Sequence, residues 1–128
     1  MFKVSQQECI KVMRIFVPFK TQHMEKSDVR QFIENEKAVL LYFYSDQCAP
    51  CVSLRPRVAA LITAEFPEMK LKLIDSVANP AVAAHFGVFA NPTILIFFEG
   101  HEQARLSKYV SVSQLKEVVE RPYHLLFD

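Results

Sequence analysis

The sequence has no tryptophan, only 2 glycines and only 3 cysteines. With so little glycine, a Gly-rich loop that cradles phosphate is excluded as the working device. An odd, small number of cysteines does not make a secreted disulfide scaffold. Long apolar runs are missing too. The longest, Ala38–Tyr44 and Thr93–Phe98, fall far short of the roughly 20 residues that cross a bilayer. No block of one charge stands out: 15 Lys and Arg face 14 Asp and Glu, for a formal net charge of +1. That balance gives neither a nucleic-acid surface nor a polybasic membrane patch. The opening residues Met1–Glu8 lack the apolar core of a secretory signal, so a soluble cytoplasmic protein is expected. There is no internal repeat and no low-complexity stretch.

What is present suits one compact domain. The chain has 128 residues, of which 51% are hydrophobic, enough for a core without staples. Residues 1–26 read as an N-terminal helix or extension packed on the domain, and residues 27–128 as the domain itself. Ser27 is expected to cap a helix running to about Asn35, with Val29, Phe32 and Ile33 facing inward. The run Ala38–Tyr44 suits a central strand buried on both faces. A helix is expected from about Cys48 to Phe66, with Pro50 in its first turn and Pro56 inside it. Lys70–Ile74 and Thr93–Phe98 read as strands, with a short helix over Pro80–Phe86 between them. Glu99–Glu102 reads as a hairpin turn into a strand at about Gln103–Tyr109. Ser113–Glu120 closes the chain as a helix with Leu115, Val118 and Val119 inward. Strands separated by helices imply parallel crossovers, and the late hairpin adds antiparallel pairing. The expected fold is therefore α/β, a mixed central sheet with helices on both faces.

The chemistry lies in Cys48-Ala49-Pro50-Cys51. Two cysteines three apart, where a buried strand gives way to a helix, form a redox motif. Unpaired N–H groups at the helix start favour a thiolate at Cys48, which makes it the nucleophile. Cys51 lies one turn on, within reach of a disulfide. The implied cycle is attack by Cys48 on a substrate disulfide, then release of the mixed disulfide by Cys51. Zinc is the rival reading. It usually needs four ligands, and neither a second Cys-x-x-Cys nor a suitably spaced His is present. A structural disulfide is a further rival. Cys9 reads as a small buried hydrophobe, with a regulatory or intermolecular thiol as the alternative. Phe86, Phe89, Phe97 and Phe98 read as core or substrate-groove material, and Tyr42, Phe43 and Tyr44 as core and rim.

From about Ser27 to Glu120 the chain resembles the thioredoxin family. Cys48-Ala49-Pro50-Cys51 is similar to that family's Cys-Gly-Pro-Cys, and Pro56 falls where its active-site helix bends. Phe86-Gly87-Val88 with Asn91-Pro92-Thr93 resembles the segment holding its cis-proline, and Phe98-Glu99-Gly100 its hairpin turn. Tyr109-Val110 with Gln114-Leu115 resembles its last strand and helix. The resemblance implies a thioredoxin-like three-layer fold and a cis Asn91–Pro92 bond packed against the disulfide. It implies a substrate groove at Ala49, Pro50, Asn91 and Pro92, and reduction of disulfide-containing proteins by Cys48 and Cys51. Electrons would come from a thioredoxin-reductase-like partner or a small thiol. No metal or organic cofactor is expected, and neither nucleic acid nor membrane is expected as a partner.

Four positions depart from the family pattern. Gln47 stands where a tryptophan precedes the first cysteine, and Ser111 where a glycine follows the last strand. Tyr42 stands in place of a buried acid, and Leu71 in place of the lysine that partners it. Cys51 must lose its proton to resolve the mixed disulfide, and burial raises a thiol's pKa. Without the acid, that step is expected to be slower, or to use water. A non-catalytic binding or redox-sensing module on the same fold is the alternative function.

Overall fold

A computed structural model describes residues 24–128. The readings made for residues 1–23, Cys9 among them, lie outside these residues. The elements in chain order are α1 (Lys26–Asn35), β1 (Ala38–Tyr44), α2 (Ala49–Glu65), β2 (Lys70–Asp75), α3 (Pro80–His85), β3 (Thr93–Phe98), β4 (His101–Ser107) and α4 (Val112–Phe127). The strands form one sheet in the order β2-β1-β3-β4. β1 runs parallel to β2 and antiparallel to β3, and β4 is antiparallel to β3.

The two apolar runs become the two inner strands for a simple reason. Successive side chains of a strand point to opposite faces, so a strand covered on both faces is apolar throughout. Ala38, Leu40 and Tyr42 of β1, with Ile94, Ile96 and Phe98 of β3, join one core. Helices α2 and α4 complete it through Leu54, Val58, Leu61 and Ile62, and through Leu115, Val119 and Tyr123. The alternate residues Val39, Leu41, Phe43, Leu95 and Phe97 join the opposite core. There they meet Val29 and Ile33 of α1 and Val82 and Ala83 of α3. The three layers expected from the sequence are thus present, with the Cys-x-x-Cys end of α2 at the carboxyl edge of β1.

Three elements differ from expectation: α1 at its start, β4 at both ends (it stops at Ser107, not Tyr109) and α4 at its end. Helix α1 starts before Ser27: its N-cap is Glu25, whose carbonyl accepts from the N–H groups of Asp28 and Val29. Strand β4 starts at His101 rather than Gln103. Glu99 and Gly100 alone make the turn, both at positive φ (52° and 84°), the two-residue geometry that suits hairpin twist. Helix α4 continues through Pro122 to Phe127. Proline costs one main-chain hydrogen bond there. Burial of Tyr123 offsets it: the ring packs edge-on against Phe66 at 5.0 Å, and its hydroxyl accepts the N–H of Glu68 at 2.9 Å.

Candidate active site

Cys48 is the N-cap residue of α2, in an extended conformation. Its carbonyl accepts from the N–H groups of Cys51 (3.1 Å) and Val52 (3.2 Å). Its Sγ also accepts from the Cys51 N–H, at 3.2 Å. The sulfur therefore occupies the place a serine or aspartate oxygen takes at other helix starts. A thiolate there gains from that donor and from the helix dipole, and so forms at lower pH. Pro50 costs nothing in this first turn, because its missing donor would be unpaired anyway. The approach to the helix is fixed by Cys48 N–H to Ser45 O and Gln47 N–H to Ser45 Oγ.

Cys48 and Cys51 form a disulfide, with Cα atoms 5.3 Å apart. The two sulfurs differ in access. Cys48 is half-buried, whereas Cys51 is fully buried. The Cys48 sulfur is thus on the more accessible of the two residues.

Behind the disulfide stands Tyr42, also fully buried. Its hydroxyl donates to the Cys51 carbonyl at 2.6 Å. Burial raises the Tyr42 pKa above the ordinary tyrosine value, with the nearby Arg55 charge opposing the rise in part. The phenol therefore stays protonated and is no base for Cys51 at neutral pH. It holds the cysteine's main chain instead. Arg55, four residues after Cys51 and so on the same helix face, lies over the Tyr44 ring at 4.3 Å. Its Nε and Nη2 are buried and have no hydrogen-bond partner among the described residues. Leu71 packs against the core shared by α2 and α4. An apolar and phenolic interior with one guanidinium thus stands where the family pattern has an acid and a lysine. Sequence reading noted Tyr42 and Leu71 but missed Arg55, whose spacing from Cys51 was the available signal.

The other wall comes from the segment before β3. Asn91–Pro92 is a cis peptide bond, as the resemblance implied, and Pro92 is buried. Asn91 Oδ1 accepts from Ser76 Oγ at 3.0 Å, and Pro92 O accepts from Lys108 N–H at 3.0 Å. Thr93 Oγ1 donates to Ala90 O at 2.6 Å. Further back, Arg105 on β4 donates to the carbonyls of Phe86 and Gly87 and pairs with Glu102. Of the predicted groove residues, Ala49 and Pro50 lie between the two cysteines in the first turn of α2, and Asn91 and Pro92 precede β3. Pro50, Asn91 and Pro92 line one groove of about 570 Å³. Of the two readings made for Phe89, core is excluded: it is 87% exposed, belongs to neither core, and lines a second groove with Ser76, Val88 and Asn91. Phe86, Phe97 and Phe98 are buried as expected. Ser111, in the family's glycine position, caps α4 by accepting the Gln114 N–H at 3.1 Å.

Among the described residues no group of three or more His, Cys, Asp or Glu side chains is placed to hold a metal ion. No helix among them is long and apolar enough to cross a membrane.

A vicinal cysteine pair on a helix N-terminus, with one sulfur accessible and one buried, on this sheet, defines a thiol–disulfide oxidoreductase. Comparison with known proteins gives the family. The thioredoxin family model matches residues 20–121, and the chain belongs to that family. It is 30% identical over 97 residues to a thioredoxin-like protein of Bacillus subtilis, covering 76% of this chain and 86% of that one. The structure of Fasciola hepatica thioredoxin superposes with a TM-score of 0.67 at 31% identity, covering 74% of this chain and 91% of the other. A mutant thioredoxin from Halobacterium salinarum gives 0.68 at 25% identity, covering 77% and 86%.

Proposed function

We propose that the chain works as a cytoplasmic reductant of protein disulfides, with Cys48 as nucleophile and Cys51 as resolving thiol. The observation that carries this reading is the difference in access between the two sulfurs, a half-buried Cys48 at the helix N-cap and a fully buried Cys51. The Cys48 thiolate attacks one sulfur of the substrate disulfide and expels the other as a thiolate. Cys51 then loses its proton and attacks the Cys48 sulfur, which releases the second substrate thiolate. Two electrons pass to the substrate, and Cys48–Cys51 becomes the disulfide. A thioredoxin-reductase-like partner or a small thiol returns the two electrons. No metal or organic cofactor enters the cycle. Ala49 and Pro50 on one side, with Asn91 and Pro92 on the other, form the groove. Asn91 precedes the first paired residue of β3, Thr93, so its main chain stands outside both ladders. It is thereby placed to pair with an extended substrate. Ala-Pro between the cysteines, without the His of the oxidising relatives, supports reduction over oxidation. The absence of a membrane-crossing helix among the described residues supports the compartment.

Turbidity from insulin reduction, with dithiothreitol as donor, tests the reading. Wild type should accelerate it and Cys48→Ser should not; equal rates would overturn it. The alternative is a redox-sensing or binding module on the same fold. Tyr42 favours it, since a neutral phenol gives Cys51 no base.

A further inference from the structure

The groove beside the disulfide has a third wall, formed by Lys108, Tyr109 and Val110 after β4. Its floor and the opposite side are Leu54, Pro50 and Pro92, with Arg57 projecting from α2. The charged residues that line it are thus Arg57 and Lys108, two cations and no carboxylate, in a chain whose charges otherwise nearly balance. Arg57, Lys108 and Tyr109 are all exposed, Tyr109 at 95%. Lys108 is held at positive φ (65°), with its N–H bonded to Pro92 O and its carbonyl to Val110 N–H. That anchoring fixes the base of the lysine against the cis-proline segment. Two cations flank an apolar trough that is lined by Pro50, the residue between the two cysteines.

We propose that this groove selects extended disulfide-bonded protein segments that carry an acidic residue near the attacked cysteine. The apolar residues of such a segment cover Tyr109, Val110 and Leu54. This deepens the reductive reading above and rests on it. Charge complementarity at an exposed rim acts mainly on the rate of encounter and weakens with salt.

The test uses the full chain, reduced, and two cyclic disulfide peptides that differ only in Glu or Lys beside the attacked cysteine. The second-order reduction rate is measured for each, and their ratio is the readout. The ratio is independent of how much protein is active. For wild type the Glu peptide should react about tenfold faster at low ionic strength, with the gap closing as salt is raised. In Arg57→Glu/Lys108→Glu the order of the two peptides should reverse. A ratio near one in wild type, or a ratio unmoved by the charge reversal, would overturn the proposal. If wild type reduces no disulfide at all, neither peptides nor a small aromatic disulfide, the exchange reading falls, and with it the preference.

Discussion

The hydroxyl of Tyr42 donates a 2.6 Å hydrogen bond to the main-chain carbonyl of Cys51, and both residues are fully buried. This bond ties strand β1 to the first turn of the active-site helix α2. It lies where a titrating acid would otherwise assist the resolving cysteine. The site therefore keeps the cysteine pair on the helix N-terminus and has a neutral phenol behind it in place of an acid.

Removing that bond should loosen the cysteine turn. Tyr42→Phe keeps the ring and deletes the donor, so it should cost about 1 kcal/mol. That lowers the melting temperature by roughly 3–6 °C in a chain of this size. Thermal unfolding of the oxidised protein measures it. An unchanged midpoint would show that the bond contributes nothing.

Tyr42 also sets a dependence on alkaline pH. Its pKa is raised by burial in the folded state. The folded chain thus holds that proton more tightly than the unfolded chain does. The resulting stability is fully present below the ordinary tyrosine value of about 10 and is lost as pH rises through the folded value. Denaturant midpoints taken from pH 8 upward should fall above about pH 10. The fall should be shallower in Tyr42→Phe, and equal slopes would contradict the assignment.

The two cysteines should fail differently. Cys51→Ser should attack substrate and stop, so a protein–substrate mixed disulfide at Cys48 accumulates and is visible by intact mass. Cys48→Ser should form none, because Cys51 is fully buried. An adduct through Cys51 in that variant would reverse the assignment of roles.

Ser111 caps α4 through its side chain. Ser111→Ala should cost about 1 kcal/mol, whereas Ser111→Gly, which restores the family residue, should cost only a few tenths. Chemical denaturation of the three proteins gives the comparison, and an alanine variant as stable as the glycine one would refute the cap.

Much of this was legible in the sequence because it is local. Ala38–Tyr44 and Thr93–Phe98 are apolar throughout, and only strands covered on both faces need that. Cys48, Pro50 and Cys51 announce a helix start and its chemistry together. Most of what was misread depends on distant contacts; the start of α1 is a local exception. Helix α4 outlasts Pro122 because Tyr123 finds Phe66 and Glu68, more than fifty residues earlier. Helix α1 starts early because the Glu25 carbonyl begins the hydrogen-bond pattern, so Ser27 is not needed as a cap. Arg57 and Lys108 come to line one groove only once α2 and the segment after β4 are packed. The replacement of the acid by Tyr42 was visible, but its bond to Cys51 required the spacing between strand and helix.

The redox potential of the Cys48–Cys51 pair, titrated against a dithiol buffer, tests the reductant reading most directly. A value between about −270 and −200 mV, the range of thioredoxins and glutaredoxins, is expected. A value near about −120 mV would make the chain an oxidant and contradict the account.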